Sequence, residues 1–352
     1  MPDFKEIYCA AREYSPDVVD RFERVPPMLA NIHATEPILS QLIYDDGFLP
    51  VYKDNKQYAV CFSHDIDFIY EPKNKNAFLL STIESLKQRN LNRLSYNLKN
   101  ITGSVPNPEW VLDNLIELER KHKIKSSYYF LCLQRGEEDY NYDISSMKSY
   151  ISHLVNDGYE IGLHGGHNAY ASAEKIKSEK ALLESVTGTA TRGYRNHYLR
   201  FKTPDTWYYL KETGFEYDTT FGFPTQIGYR NGLCYPFRPY DGIKEAYIDI
   251  LELPLLVMDV TFFKYMGLNV DNAFRLYMKI MNEVKKLHGV LTIVWHNNCL
   301  TGEHKSLYDR IIAEIAKDDS AWLATSAEVS DWWKANNMNR MEEIVNHKIL
   351  KR

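Results

Sequence analysis

Two aspartates, Asp65 and Asp67, sit two residues apart at the end of the apolar run YAVCFSHDIDFIY (58–70). On a strand, side chains at i and i+2 share a face. The two carboxylates would then stand side by side and repel unless a cation or an arginine compensates. The chain supplies both kinds of partner. EIGLHGGHNAY (160–170) holds His164 and His167 on either side of a Gly-Gly pair that can bend both imidazoles toward one ion, and imidazole is the commonest metal ligand among side chains. One carboxylate with two imidazoles makes a catalytic zinc set with open coordination positions; here its members would be Asp67, His164 and His167. Asp65 is then left to take a proton from water, and Arg195 in TRGYRNHYLRF (191–201) is the partner that would orient it and keep it ionised. His296 in LTIVWHNN (291–298) is a candidate general acid. Asp259 either pairs with it and raises its pKa or caps a loop.

These groups are far apart in the chain, so the fold must gather them. Strand-like runs at 58–65, 125–133, 160–167, 191–201, 245–259, 288–296 and 321–326 alternate with helical patterns over 107–124, 145–159, 172–188, 203–215, 270–287, 304–317 and 326–335. Ser172 and Gly188 bound one of these helices, and Thr203 with Pro204 at the first helical position opens another. Such alternation builds βαβ units and a mainly parallel sheet, open or closed into a barrel. Active residues of such folds gather at the C-terminal ends of the strands. Asp65 and Asp67, His164, Arg195, Asp259 and His296 each fall at such an end. His64 alternates away from Asp65 and reads as a packing residue.

With 352 residues, 44% hydrophobic and 25% charged, the chain can bury one large α/β core or two smaller ones. A net charge of −5 excludes a global field that would recruit nucleic acid. Aromatic residues reach 13%, which suits either a packed core or a site for polar ligands with apolar faces, sugars included. Cys9, Cys61, Cys132, Cys234 and Cys299 are scattered without CxxC spacing, as expected of reduced thiols. The N-terminus lacks an apolar signal region, and no stretch approaches the about 20 apolar residues of a membrane span. The expectation is a soluble cytoplasmic protein with no transmembrane segment.

SHDID, LHGGH, YRNHYLRF and VWHN, in that order, resemble the successive motifs of the polysaccharide deacetylase family (NodB-homology, carbohydrate esterase family four). The layout agrees over residues 58–335, including TGFEYDTTFGF (213–223) after the arginine motif. The resemblance implies an α/β fold, a distorted (β/α)7 barrel, here over 57–336 with an N-terminal extension at 1–56 and a C-terminal helix at 337–352. It also implies a divalent metal, usually zinc, and hydrolytic removal of an N- or O-acyl group, typically acetyl from an amino sugar. It makes Asp65 the catalytic base, Asp67 and His164 metal ligands, Arg195 the holder of the base and His296 the acid with Asp259 as partner. Tyr198 would lie where a backbone N–H helps form the oxyanion hole.

The chain departs from the family's pattern. The family's second motif spaces its histidines four apart, whereas Asn168 stands at that position, so the third ligand falls to His167, Asn168 or a water. His197 shares a strand face with Arg195 and either touches substrate or packs. The segment 68–105, expected near the site mouth, carries Lys73, Lys75, Lys87, Arg89, Arg93 and Lys99. They form either a solvated helix face or a contact for a diphosphate or a phospholipid surface. The latter suits a nucleotide- or lipid-linked sugar on its way to a surface polysaccharide, with peripheral membrane contact. The competing readings are a barrel without turnover that binds carbohydrate or serves as a scaffold, and a hydrolase of a non-sugar amide.

Overall fold

The computed structural model describes residues 3–30, 32–67, 69, 82–83, 86, 112–133, 137–138 and 142–350. At its centre lies β1 (Tyr58–Ile66), buried at all nine positions. Its near-continuous apolar run is that of a parallel strand covered on both faces. The other strands are β2 (Ser127–Leu131), β3 (Glu160–Gly165), β4 (Gly193–Asn196), β5 (Tyr217–Asp218), the antiparallel pair β6 (Tyr240–Asp241) and β7 (Ala246–Tyr247), β8 (Leu251–Glu252), β9 (Val257–Met258), β10 (Val290–Val294) and β11 (Ala321–Leu323). The main sheet runs β8-β5-β4-β3-β2-β1-β10-β9, with β11 also paired to β1. Every pairing in it is parallel. The sheet curls into the partial cylinder of a distorted (β/α) barrel.

Helices α1 (Phe4–Tyr8), α2 (Ile38–Asp45), α3 (Leu112–Lys121), α4 (Lys148–Asn156), α5 (Ala173–Thr187), α6 (Asp205–Glu212), α7 (Val270–Lys286), α8 (Gly302–Ile315), α9 (Ser326–Asn336) and α10 (Met338–Leu350) accompany the strands. The ends of α5 follow from its sequence. Ser172 Oγ accepts from the Lys175 amide at 3.3 Å, and Gly188 closes the helix in the left-handed conformation at φ 72°. The expected Thr203 cap of α6 is absent. Pro204 occupies the cap position, and the Thr203 hydroxyl donates instead to Glu13 at 3.1 Å. A cap would need the hydroxyl oxygen to accept from an amide of the first turn, whereas here the hydroxyl is turned toward a buried carboxylate. Glu13 itself is gripped by Arg230 at 2.6 Å, with both side chains 2% exposed.

The expected strand at 245–259 breaks into β7, β8 and β9, the last two on either side of Pro254, which has no N–H to give a ladder. Residues ahead of β1 are laced onto the barrel: the amides of Leu39 and Ser40 donate to the Gly232 carbonyl, and Lys348 of α10 pairs with Asp46 at 2.8 Å. All five cysteines are free thiols. Among the described residues, no helix is long and apolar enough to cross a membrane. The basic residues at 73–99 lie outside the described residues.

Candidate active site

The register of the sheet decides which side chains meet. β3 pairs with β4 so that His164 lies level with Arg195, and both face the end of β1. Arg195 Nη1 donates to Asp65 Oδ1 at 2.8 Å and to Ser63 Oγ at 2.9 Å. Its Nε and Nη2 are spent on the carbonyl and hydroxyl of Thr219, and its guanidinium lies over the Tyr129 ring, 4.5 Å from the centroid. Thus every edge of a 1% exposed arginine is occupied, and its orientation is determined. Burial alone would push the Asp65 carboxyl up; Arg195, then His164 and His296, outweigh it and hold the group below the usual carboxylate range.

Asp67 has different neighbours. Its Oδ1 lies 3.2 Å from His164 Nε2, and its Oδ2 lies 3.8 Å from His197 Nε2. His164 donates from Nδ1 to the Arg195 carbonyl at 3.0 Å, which leaves Nε2 as a lone pair. His197 turns its Nδ1 toward the Glu138 carboxylate at 3.7 Å. Among the described residues, Asp67, His164 and His197 form a buried group whose ligand atoms all lie within 4.8 Å of one another. Asp67 Oδ1 and His164 Nε2 are buried and lack hydrogen-bond partners in this arrangement. Buried polar atoms are normally satisfied, so two unpartnered acceptors aimed at each other fit a shared divalent cation. A carboxylate with two imidazoles is also a donor set that zinc accepts. Burial would raise the Asp67 pKa, but His197 first and then His164 and His296 pull it far below the ordinary value.

His167 is not in this group. Its ring stands edge-on to Tyr198 at 5.4 Å and to Phe22 at 6.2 Å, and its carbonyl accepts from Arg200 at 2.8 Å. Asn168 is exposed and accepts from the same guanidinium at 2.7 Å. The turn after His164 explains this. A Cβ at Gly165 would collide with the Tyr194 phenol, and the Gly166 amide is pinned by Glu179 Oε2 at 2.8 Å. The chain therefore leaves β3 toward the surface and takes His167 with it. The second imidazole of the group comes from the end of β4 instead, where the i, i+2 spacing of Arg195 and His197 is the signal that the sequence carries. Glu138, behind His197, carries no such signal.

His296 faces the pair from β10. Its Nε2 lies 4.0 Å from Asp65 Oδ2 and 3.8 Å from Asp67 Oδ2. Its Nδ1 donates to Asp259 Oδ1 at 2.7 Å, and its backbone amide donates to Oδ2 of the same carboxylate at 2.7 Å. Burial would lower the imidazole pKa, but Asp259, then Asp67 and Asp65, push it up to about 10. Tyr198 stands beside His197 with its backbone at φ 60°, ψ 12°, and its carbonyl accepts from Arg24 at 3.1 Å. His64 points to the other face of β1, bonded to the Trp295 carbonyl and to Glu119, both at 2.8 Å.

No protein-family model matches the chain, and no curated protein matches it. Solved structures do. A Mycobacterium smegmatis protein classed as a polysaccharide deacetylase superposes on 82% of this chain and 94% of its own, with a TM-score of 0.56 and 18% identity. The Puue allantoinase superposes on 91% of this chain and 98% of its own, with a TM-score of 0.55 and 15% identity. A Pseudomonas aeruginosa PAO1 protein classed as a probable polysaccharide deacetylase covers the same shares, with a TM-score of 0.55 and 16% identity. At these identities the finding is a shared fold.

Proposed function

From the polysaccharide deacetylase (NodB-homology) fold of this chain, we propose that it is a metal-dependent hydrolase removing an N-acyl group, acetyl in the simplest case, from an amino sugar. The substrate class is a nucleotide- or lipid-linked precursor of a surface polysaccharide, handled in the cytoplasm. One observation carries the reading: of two neighbouring carboxylates, Asp65 is bonded to a guanidinium at 2.8 Å, while Asp67 has no such partner among the described residues and faces imidazoles, His164 nearest at 3.2 Å.

Asp67, His164 and His197 would hold the divalent cation, with zinc favoured by the donor set. Bound there, such a cation supplies Lewis-acid polarisation of the acyl carbonyl and acidifies water. Asp65 is the base. Arg195 occupies its Oδ1, so Oδ2 is the oxygen left to receive a proton, and the low pKa keeps it ionised until then. His296 is the acid. Asp259 fixes its tautomer through Nδ1, so the proton to be given to the departing amine sits on Nε2. The Tyr198 backbone N–H serves the developing oxyanion.

The test is acetate release from N-acetylated nucleotide sugars by the zinc-loaded protein beside its Asp65→Asn variant. Release by the first and not the second supports the reading. No release with any divalent metal supplied would leave a carbohydrate-binding or scaffold barrel. The fold shared with an allantoinase favours a second reading, hydrolysis of a non-sugar amide. Adding a cyclic amide to the same assay separates the two.

A further inference from the structure

We propose that residues 20–24, ahead of the barrel, belong to the catalytic apparatus as a brace that holds the His197–Leu199 turn. The inference rests on the functional reading above and assigns a task to a segment outside the recognised motifs.

Tyr198 and Leu199 are consecutive non-glycine residues at φ 60° and φ 53°. L side chains rarely adopt this conformation, and it persists only where the surroundings over-determine it. From the barrel side, Asn196 Nδ2 donates to the His197 carbonyl at 3.0 Å, and Tyr194 fixes Asn196 at 2.6 Å. A further restraint comes from the N-terminal segment. Arg24 Nη1 donates to the Tyr198 carbonyl at 3.1 Å. The Phe22 ring lies on Tyr198 at 4.7 Å with 14° between planes, and Tyr198 in turn lies 4.2 Å from the His197 ring. A continuous stack, Phe22–Tyr198–His197, thus ends on the imidazole that faces Asp67.

The segment is itself shaped for this. Asp20 Oδ1 accepts from the amides of Phe22 and Arg24 at 2.8 and 3.0 Å, and its Oδ2 accepts from Arg24 Nε at 2.8 Å. Arg24 is 5% exposed and also reaches the Tyr265 hydroxyl at 3.5 Å, on the turn that follows Asp259. It therefore joins the loop carrying His197 to the loop following Asp259. Glu23 pairs with Arg200, which holds the His167 carbonyl and Asn168. Phe22 and Arg24 act through Tyr198 and His197, so they are positioning residues.

The experiment uses the full chain with Phe22→Ala and Arg24→Gln, and with Phe22→Tyr and Arg24→Lys as conservative controls. Three quantities are read: amide hydrogen exchange over residues 194–202, zinc affinity by chelator competition, and kcat and KM for deacylation. The brace predicts exchange at Tyr198–Arg200 faster by about tenfold and zinc bound about tenfold more weakly, the size expected for a group that orients a ligand. It predicts kcat lower by about tenfold or more with KM within about twofold, and recovery in Phe22→Tyr. Unchanged exchange and zinc affinity in both disruptive variants would overturn it, even if the wild type hydrolyses amides. If exchange and zinc affinity respond but the wild type releases no acyl group, the brace stands and the hydrolase reading falls.

Discussion

The Nε2 of His197 lies 3.8 Å from Oδ2 of Asp67, while Nδ1 of the same ring faces the Glu138 carboxylate at 3.7 Å. An imidazole whose second nitrogen faces an outer carboxylate is arranged as ligating histidines commonly are. His197→Ala is therefore expected to abolish stoichiometric zinc retention after gel filtration, whereas His167→Ala retains it. Glu138→Gln keeps the shape of the outer group but removes its charge, and weakens zinc by about tenfold. Zinc retention lost in His167→Ala and kept in His197→Ala would reverse the assignment.

Arg195 is the counter-ion that keeps a buried carboxylate charged. In Arg195→Met, burial acts on Asp65 with less opposition and its pKa rises. The acid limb of the kcat/KM profile should move to higher pH and kcat fall by about a hundredfold or more. Removing one partner of a buried pair also costs about 3–5 kcal/mol of stability, visible in the denaturant midpoint. An acid limb that stays in place would separate Asp65 from the base role.

Asp259 is what lifts His296 above the ordinary imidazole range to about 10. In Asp259→Asn the largest attraction is lost, and burial, which favours the neutral ring, is opposed only by Asp67 and Asp65. The cationic acid then disappears at lower pH, so the alkaline limb of the kcat profile moves down toward neutrality. A bell narrowed from the alkaline side is the expected signature, and a limb unmoved by the substitution removes His296 from the proton-donor role.

Much of this arrangement was readable because β1, β3 and β10 are largely buried strands of five or more residues, each with an ionisable group at or just past its end. Alternation then places those groups on one rim whatever the details of the helices. The strand β5 was not readable, since Tyr217–Asp218 is too short to show a period. The choice between His167 and His197 was not readable either. It depends on Gly165 meeting Tyr194 and on Glu179 seizing the Gly166 amide, contacts that cross 13 to 29 positions of sequence. The left-handed backbone of Tyr198 and Leu199 carries no glycine to announce it, and the groups that restrain it, Asn196 on one side and Arg24 and Phe22 on the other, include residues far away in sequence.

Glu179 ties the stability of the site to pH. Burial, aided by Glu138 and Glu137, pushes its carboxyl up to about 8 against the donated Gly166 amide. In the unfolded chain the same group titrates at 4.5. Below 4.5 both states hold the proton and the full contribution to stability is present. As pH rises from there toward 8, the unfolded chain releases its proton first, and stability falls by up to about 1.4 kcal/mol per pH unit. Above 8 both states are ionised and the loss stops growing. Glu179→Gln retains an oxygen to accept from Gly166 but has no proton to lose, so its urea midpoints should be flatter between pH 5 and pH 8 than those of the wild type. Parallel curves for the two proteins would mean that Glu179 is already ionised in the fold, and that the turn carrying His164 is held by a charged carboxylate instead of a neutral acid.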